Sequence, residues 1–306
     1  MVQPLRPPTG APSSTAMNSG RLGAGPSRGA TRWVWALIGA VLAVASFIGL
    51  ERTFIESARG QIIDESALIG STRGKASLEG ITQFVVGIVS VRFLIAVVVV
   101  AVVVALVRKQ WGDAARAVVI VAGANLTTQI LKEMIERPEI GGAWAPGNSL
   151  PSGHTTVAAS AAAVALLVAP RAARPIVAII GAIYAAATGI ATMSLGWHRP
   201  SDVIAAIAVV TAWTLLVMVP SRGRPADGPS GTAGRVVSTW LLGIAAVVGI
   251  AVGVLSLLGV MSQLNGVGQD VDLLSSGTLT LAYVGSAATV VGAASASAWA
   301  QILARR

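Results

Sequence analysis

Cysteine is absent from this chain, and histidine occurs only twice in 306 residues. The missing thiols exclude disulfides and thiolate metal sites. They say nothing about compartment. Charge is scarce too, at 11% of residues, about half the share of a soluble domain. Hydrophobic residues fill the gap, at 54% of the chain with a mean hydropathy of +0.74. Apolar runs of about 20 residues make helices that cross the hydrocarbon core. The abundant Ala, Val and Gly allow such helices to approach closely. The sequence therefore predicts an all-α, polytopic membrane helix bundle.

The net charge of +9 suits a nucleic-acid binder at first sight. The arginines are instead scattered over the termini and short loops, the distribution that orients a membrane protein, and nucleic acid is excluded as a partner. Eight spans are expected, near residues 33–51, 82–108, 114–134, 153–170, 175–194, 201–220, 236–261 and 278–302. Residues 1–31 read as a disordered cytoplasmic tail rich in Pro, Gly, Ser and Arg. The run from Trp33 to Leu50 reads as a retained helix, because the residues after it make a poor signal-peptide cleavage site. With eight spans, Arg28, Arg32, Arg108, Lys109, Arg116, Arg171, Arg174, Arg222, Arg224, Arg235, Arg305 and Arg306 all fall on one side. Basic loops mark the cytoplasm, so both termini are expected inside. The segments 52–81, 135–152, 195–200 and 262–277 are then expected as extracytoplasmic loops. Both histidines belong to that outer face.

Each histidine lies in a short polar island. His198 and Asp202 stand four residues apart around Pro200, a spacing that lets them meet across one helical turn. A carboxylate on one imidazole nitrogen sets the tautomer and leaves the other nitrogen to attack. A plainer reading has Asp202 at a helix start and His198 at the membrane interface. The other island, Pro151-Ser152-Gly153-His154, opens a span. Backbone N–H groups at a helix start, a glycine that admits an anion and a serine hydroxyl together suit phosphate. An ordinary serine cap is the alternative. A third island, Lys132 to Pro138, ends span three and puts Lys132 and Arg137 on the same face, where they are suited to neutralise phosphate or to snorkel.

The order of these islands resembles the type 2 phosphatidic acid phosphatase family, the lipid phosphate phosphatases related to vanadium haloperoxidases. That family carries Lys-x6-Arg-Pro, Pro-Ser-Gly-His and Ser-Arg-x5-His-x3-Asp. The resemblance spans roughly residues 80–220, with Pro151 to His154 and the His198/Asp202 pair intact. It implies a six-helix phosphatase-like core over 32–220, followed by a linker at 221–235 and two extra helices in 236–306. It also implies roles: His198 as nucleophile, Asp202 orienting it, His154 as the acid, and Lys132, Ser152 and Gly153 holding phosphate oxygens. No metal or other cofactor is required. Asp270 and Asp272 have no histidine nearby in sequence, so no metal site is assigned to them.

Two family arginines are displaced or absent. Glu139-Ile140 occupies the expected Arg-Pro position, with Arg137-Pro138 two residues early, and Ala191-Thr192 replaces Ser-Arg. Arg137, Arg199 and Arg92 are the candidates to restore the charge. Arg92 is expected in the outer third of span two, about 22 Å from its inner end, where an ionisable group is a functional candidate. The Arg199 side chain is expected to point away from His198. The expected function is hydrolysis of a phospholipid or polyprenyl phosphate or diphosphate through a phospho-histidine. A phosphotransferase, or a non-catalytic relative that binds a lipid phosphate or a protein, is the alternative. The last two spans would widen a groove for a lipid chain or dock a membrane partner.

Overall fold

The computed structural model describes residues 28–72, 75–88, 91–138, 140, 147–219, 232–267 and 271–305. Nearly all of the expected tail and most of the expected 221–235 linker lie outside them. Ten α-helices account for nearly all of the described structure: α1 Arg28–Phe54, α2 Ala58–Thr72, α3 Lys75–Ile88, α4 Val91–Val107, α5 Trp111–Met134, α6 Gly153–Val168, α7 Arg174–Ser194, α8 Pro200–Met218, α9 Thr232–Val267 and α10 Ser276–Ala304. Helices α1, α5, α7, α8, α9 and α10 are long and apolar enough to cross a membrane. The chain is an integral membrane protein.

Two spans differ from the expectation in form. Span two is not one helix: its halves, Gly80–Gly87 and Arg92–Val107, meet at a 47° bend. Arg92 therefore sits at a break rather than inside a continuous helix. Span four is α6, only 16 residues long, or about 24 Å against a core of about 30 Å. The segment 52–81, expected as a loop, forms the end of α1, all of α2 and the first half of α3.

The centre of the bundle is the apolar packing of α5, α6, α7 and α8, joined by α4 and α10. Ile120, Val164, Met193, Val203, Val210 and Val290 are almost fully enclosed there. Helices α9 and α10 form a hairpin at short range. A Cβ added at Gly249 would lie 2.8 Å from Gly292 Cα, so small residues set this separation. From that hairpin, α10 packs back onto α7, α8 and α2.

The short α6 is held at both ends. Ser152 caps its start, accepting from Thr155 N. Its final carbonyls receive arginines from three other segments. Arg108 Nη1 donates to Val168 O at 2.7 Å, Arg174 Nε to Ala169 O at 3.1 Å, and Arg305 Nη1 to Leu166 O and Leu167 O at 3.0 Å each. Cations there satisfy acceptors that a helix end leaves open and complement its negative dipole end.

Helix α2 is buried among α1, α7, α8 and α10. At Gly70 a Cβ would lie 2.1 Å from Leu279 O, a backbone atom of α10. Gly70→Ala is expected to push α2 off α10 and lower stability by roughly 1–3 kcal/mol, as overpacking does. Thermal unfolding in detergent measures this. Gly80→Ala, where an added Cβ meets nothing within 4 Å, is the control expected to stay near wild type.

Candidate active site

The chain turns from α7 into the site through a helix stop written in the sequence. Gly196 adopts φ +76°, and two backbone bonds close the end, Gly196 N to Met193 O at 2.8 Å and Trp197 N to Thr192 O at 3.0 Å. This is the left-handed glycine stop that suits only residues without a Cβ. It delivers His198 directly to the start of α8, whose first residue is Pro200.

Asp202 anchors that turn. It is fully buried. Its Oδ2 accepts from His198 Nδ1 at 3.3 Å, from the Arg199 backbone N at 2.9 Å and from the Ser149 hydroxyl. The bond to Arg199 N is the carboxylate half of a capping box. The contact to Nδ1 turns the imidazole so that Nε2 is the nitrogen left for chemistry. The first island is tied to the same residue, since Ser152 N donates to Asp202 O at 2.9 Å.

His154 stands half-buried in the first turn of α6, its ring 5.4 Å from that of Trp197. His198 and Lys132 are near enough to act on it electrostatically. A Cβ at Gly153 would meet nothing within 4 Å, so packing does not demand this glycine. The space it leaves lies at the N–H end of α6, where an anion is favoured. Ser152 is enclosed, and its Oγ accepts from Thr155 N and Thr155 Oγ1. Its own proton remains to be donated.

The displaced arginine reaches the centre. Helix α5 stops at Met134, with Ile135 extended, and the strap through Pro138 turns inward. Gln61 on α2 fixes it, its Nε2 donating to Pro138 O at 2.8 Å and to Ile55 O at 2.7 Å. The Arg137 side chain is 2% exposed and lies 4.0 Å from Asp64 Oδ2. None of its nitrogens has a hydrogen-bond partner among the described residues. Arg199, also enclosed, extends to α2, where Nε donates to Glu65 Oε2 at 3.0 Å. Thr192, at the family's other arginine position, turns its hydroxyl back to Gly189 O at 2.8 Å. Lys132 is half-buried in the last turn of α5. Arg92 is exposed, and no hydrogen bond or ion pair joins it to the site among the described residues.

The sequence reading missed the face of α2. Gln61, Asp64 and Glu65 share one side of that helix, and each grips a different part of the site. Asp64 accepts from Ser201 N at 3.1 Å and from the Ser201 hydroxyl, thereby capping α8. The signal was present as three polar residues at helical spacing among Ile62, Ile63, Ala67 and Leu68. The expectation of an extracytoplasmic loop over 52–81 leaves that spacing without a helix to display it. Burial first, and the Asp202 carboxylate second, push the Asp64 pKa up to about 7, against the pull of the Ser201 bonds and Arg137. Among the described residues no three His, Asp or Glu side chains converge as a metal-binding set.

The sequence model of the PAP2 superfamily matches residues 113–226. That segment contains α5 to α8 and every island described above. Among solved structures, the chain is similar to the first transmembrane PAP2 type phosphatidylglycerolphosphate phosphatase from Bacillus subtilis. The TM-score is 0.50 and the identity 20%, with 58% of this chain and 94% of that chain covered. At that identity the likeness establishes the fold. No curated protein shows significant similarity to the chain.

The Glu65–Arg199 pair and Asp64 give two tests. Glu65→Ala would take the paired carboxylate away from the buried Arg199 guanidinium and is expected to cost roughly 3–5 kcal/mol in thermal unfolding. Glu65→Leu combined with Arg199→Met should recover much of that loss, and a double variant as unstable as Glu65→Ala would refute the buried pairing. For Asp64 the native chain holds a proton that the unfolded chain releases near the ordinary value of 3.8. The native state therefore binds more protons between about pH 4 and about pH 7, and this contribution to stability falls as pH rises through that window. Asp64→Asn is expected to flatten the fall in melting temperature between those values. An unchanged slope would place the titration elsewhere.

Proposed function

With residues 113–226 matching the PAP2 superfamily, we propose that this chain is a membrane lipid-phosphate phosphatase working through a phospho-histidine. The observation that carries the reading is the His198–Asp202 contact through Nδ1, which leaves Nε2 for chemistry; the enclosed Arg137, near enough to Asp202 to act on it electrostatically, has no hydrogen-bond partner among the described residues.

In this mechanism His198 Nε2 attacks phosphorus and the bond from phosphorus to the lipid oxygen breaks. His154 gives its proton to the departing oxygen. Asp202 stabilises the imidazolium that develops. Arg137, Lys132, the Ser152 hydroxyl and the Gly153 amide hold the phosphoryl oxygens as charge builds on them. Water then attacks the phospho-histidine with His154 as base, freeing phosphate and restoring Nε2. Hydrolysis asks for no second acceptor and no metal ion. Arg137, reaching the centre from its early position, takes the part of the family's first-motif arginine.

The basic loops orient this site to the extracytoplasmic face, with both termini inside. A substrate anchored in the outer leaflet then meets it from the side. That favours phosphatidate, phosphatidylglycerol phosphate or a polyprenyl phosphate or diphosphate over soluble esters.

Phosphate release from a panel of these lipids by vesicle-reconstituted protein, with and without a chelator, tests the reading. Release should persist in chelator and vanish in His198→Ala. Arg137→Ala is expected to lower kcat roughly 100- to 1,000-fold, the scale for losing one donor to a developing oxyanion. Equal rates in wild type and His198→Ala would end the proposal. Lipid-phosphate binding with no turnover in wild type would identify a non-catalytic binder.

A further inference from the structure

A phosphate held between His154 and His198 needs an apolar wall beside it for the rest of a lipid. One adjoins the site. A cavity of about 210 Å³ has Asp64 and Ser201 at its polar end, the pair that caps α8 one residue before Asp202. Its remaining walls are mostly hydrocarbon, broken by the hydroxyl residues Ser256, Ser286 and Thr289, with Phe54 of α1, Ile204 of α8, Leu257 of α9 and Ser286 of α10 contributing to it. Helix α1 packs on α8 and α10, while α9 packs on α10 and α7. The cavity thus lies between α1 and α9, over a floor of α8 and α10.

We infer that this cavity receives the hydrocarbon chain of the lipid phosphate, making the α9–α10 hairpin a specificity element for the site. The inference rests on the lipid-phosphate reading above. Two features of the cavity select this occupant. It is concave and apolar, as sites for hydrophobic ligands are, and it is continuous at one end with the hydrogen-bonded frame of the candidate nucleophile. A polar or charged occupant would meet few partners in it. More than half of its lining residues lie after 226, beyond the segment that matches the superfamily. Chain recognition is therefore contributed by a part of the protein separate from the phosphate chemistry.

Ser286 lines the cavity from α10, and among the described residues no hydrogen bond or ion pair joins it to His154, His198 or Asp202, so Ser286→Phe fills the space and spares the chemistry. The full chain in phosphatidylcholine vesicles is exposed to a long-chain lipid phosphate carrying a photoactivatable group in mid-chain, and labelled residues are mapped by mass spectrometry. Label is expected on residues 250–260 and 282–289 in wild type and in His198→Ala, and is expected to be lost in Ser286→Phe. In turnover, Ser286→Phe should raise KM for the long-chain substrate about tenfold while leaving a short-chain soluble phosphate unaffected, as when a few methylenes are turned away from an apolar wall. Label confined to other helices, or unchanged by Ser286→Phe, overturns the cavity assignment and leaves the phosphatase reading standing. Cavity label without turnover in wild type overturns the phosphatase reading and keeps the assignment.

Discussion

Buried charge is the constraint on which this fold depends. Asp64, Glu65, Asp202, Arg137 and Arg199 are all enclosed at one end of the bundle. Removing such groups from water costs several kcal/mol each unless geometry compensates. The compensation is supplied from two directions. Helix α8 and its preceding turn bring Arg199, Ser201 and Asp202, and α2 brings Asp64 and Glu65. Neither set is tolerable away from water without the other, which explains why a 15-residue helix too short to cross is nevertheless packed inside the bundle.

The protonation of Asp64 decides how much positive charge the site can offer an anion. With its pKa near 7, Asp64 is substantially neutral at and below that pH. Two guanidiniums then face two carboxylates, and Glu65 claims one of them. Arg137 keeps its charge unspent, and Lys132 adds another at the end of α5. An incoming phosphate would supply the counter-charge that the resting site withholds. Under the phosphatase proposal, a site built this way is preorganised for the negative charge of a phosphate.

Much of this was legible in the sequence. Apolar runs located the crossings, and the two polar islands around His154 and His198, which the structure ties together through Asp202, stood out because polar residues at helix starts are conspicuous in so apolar a chain. The early Arg137 was recognised as a candidate, but a sequence cannot show that Gln61 pulls its strap inward from 77 positions away. The α2 face was missed for the same reason. Its residues act on partners 134 to 137 positions distant, and locally they look like the mixed charges of a solvated loop. Span two was read as one helix because composition reports hydropathy and not the direction of its axis.

Helix α6 carries the proposed phosphate site at one end and a cluster of arginines at the other, yet its 16 residues fall some 6 Å short of a hydrocarbon core of about 30 Å. Strong polarity at both ends disfavours sinking either one into lipid. Local thinning of the bilayer is one response to such a mismatch. Were the bilayer to thin here, the aqueous boundary would come down toward the proposed site. A lipid arriving there would keep its chain at ordinary depth while its headgroup already stood in water. Under the phosphatase proposal, little extraction of the lipid would then be needed.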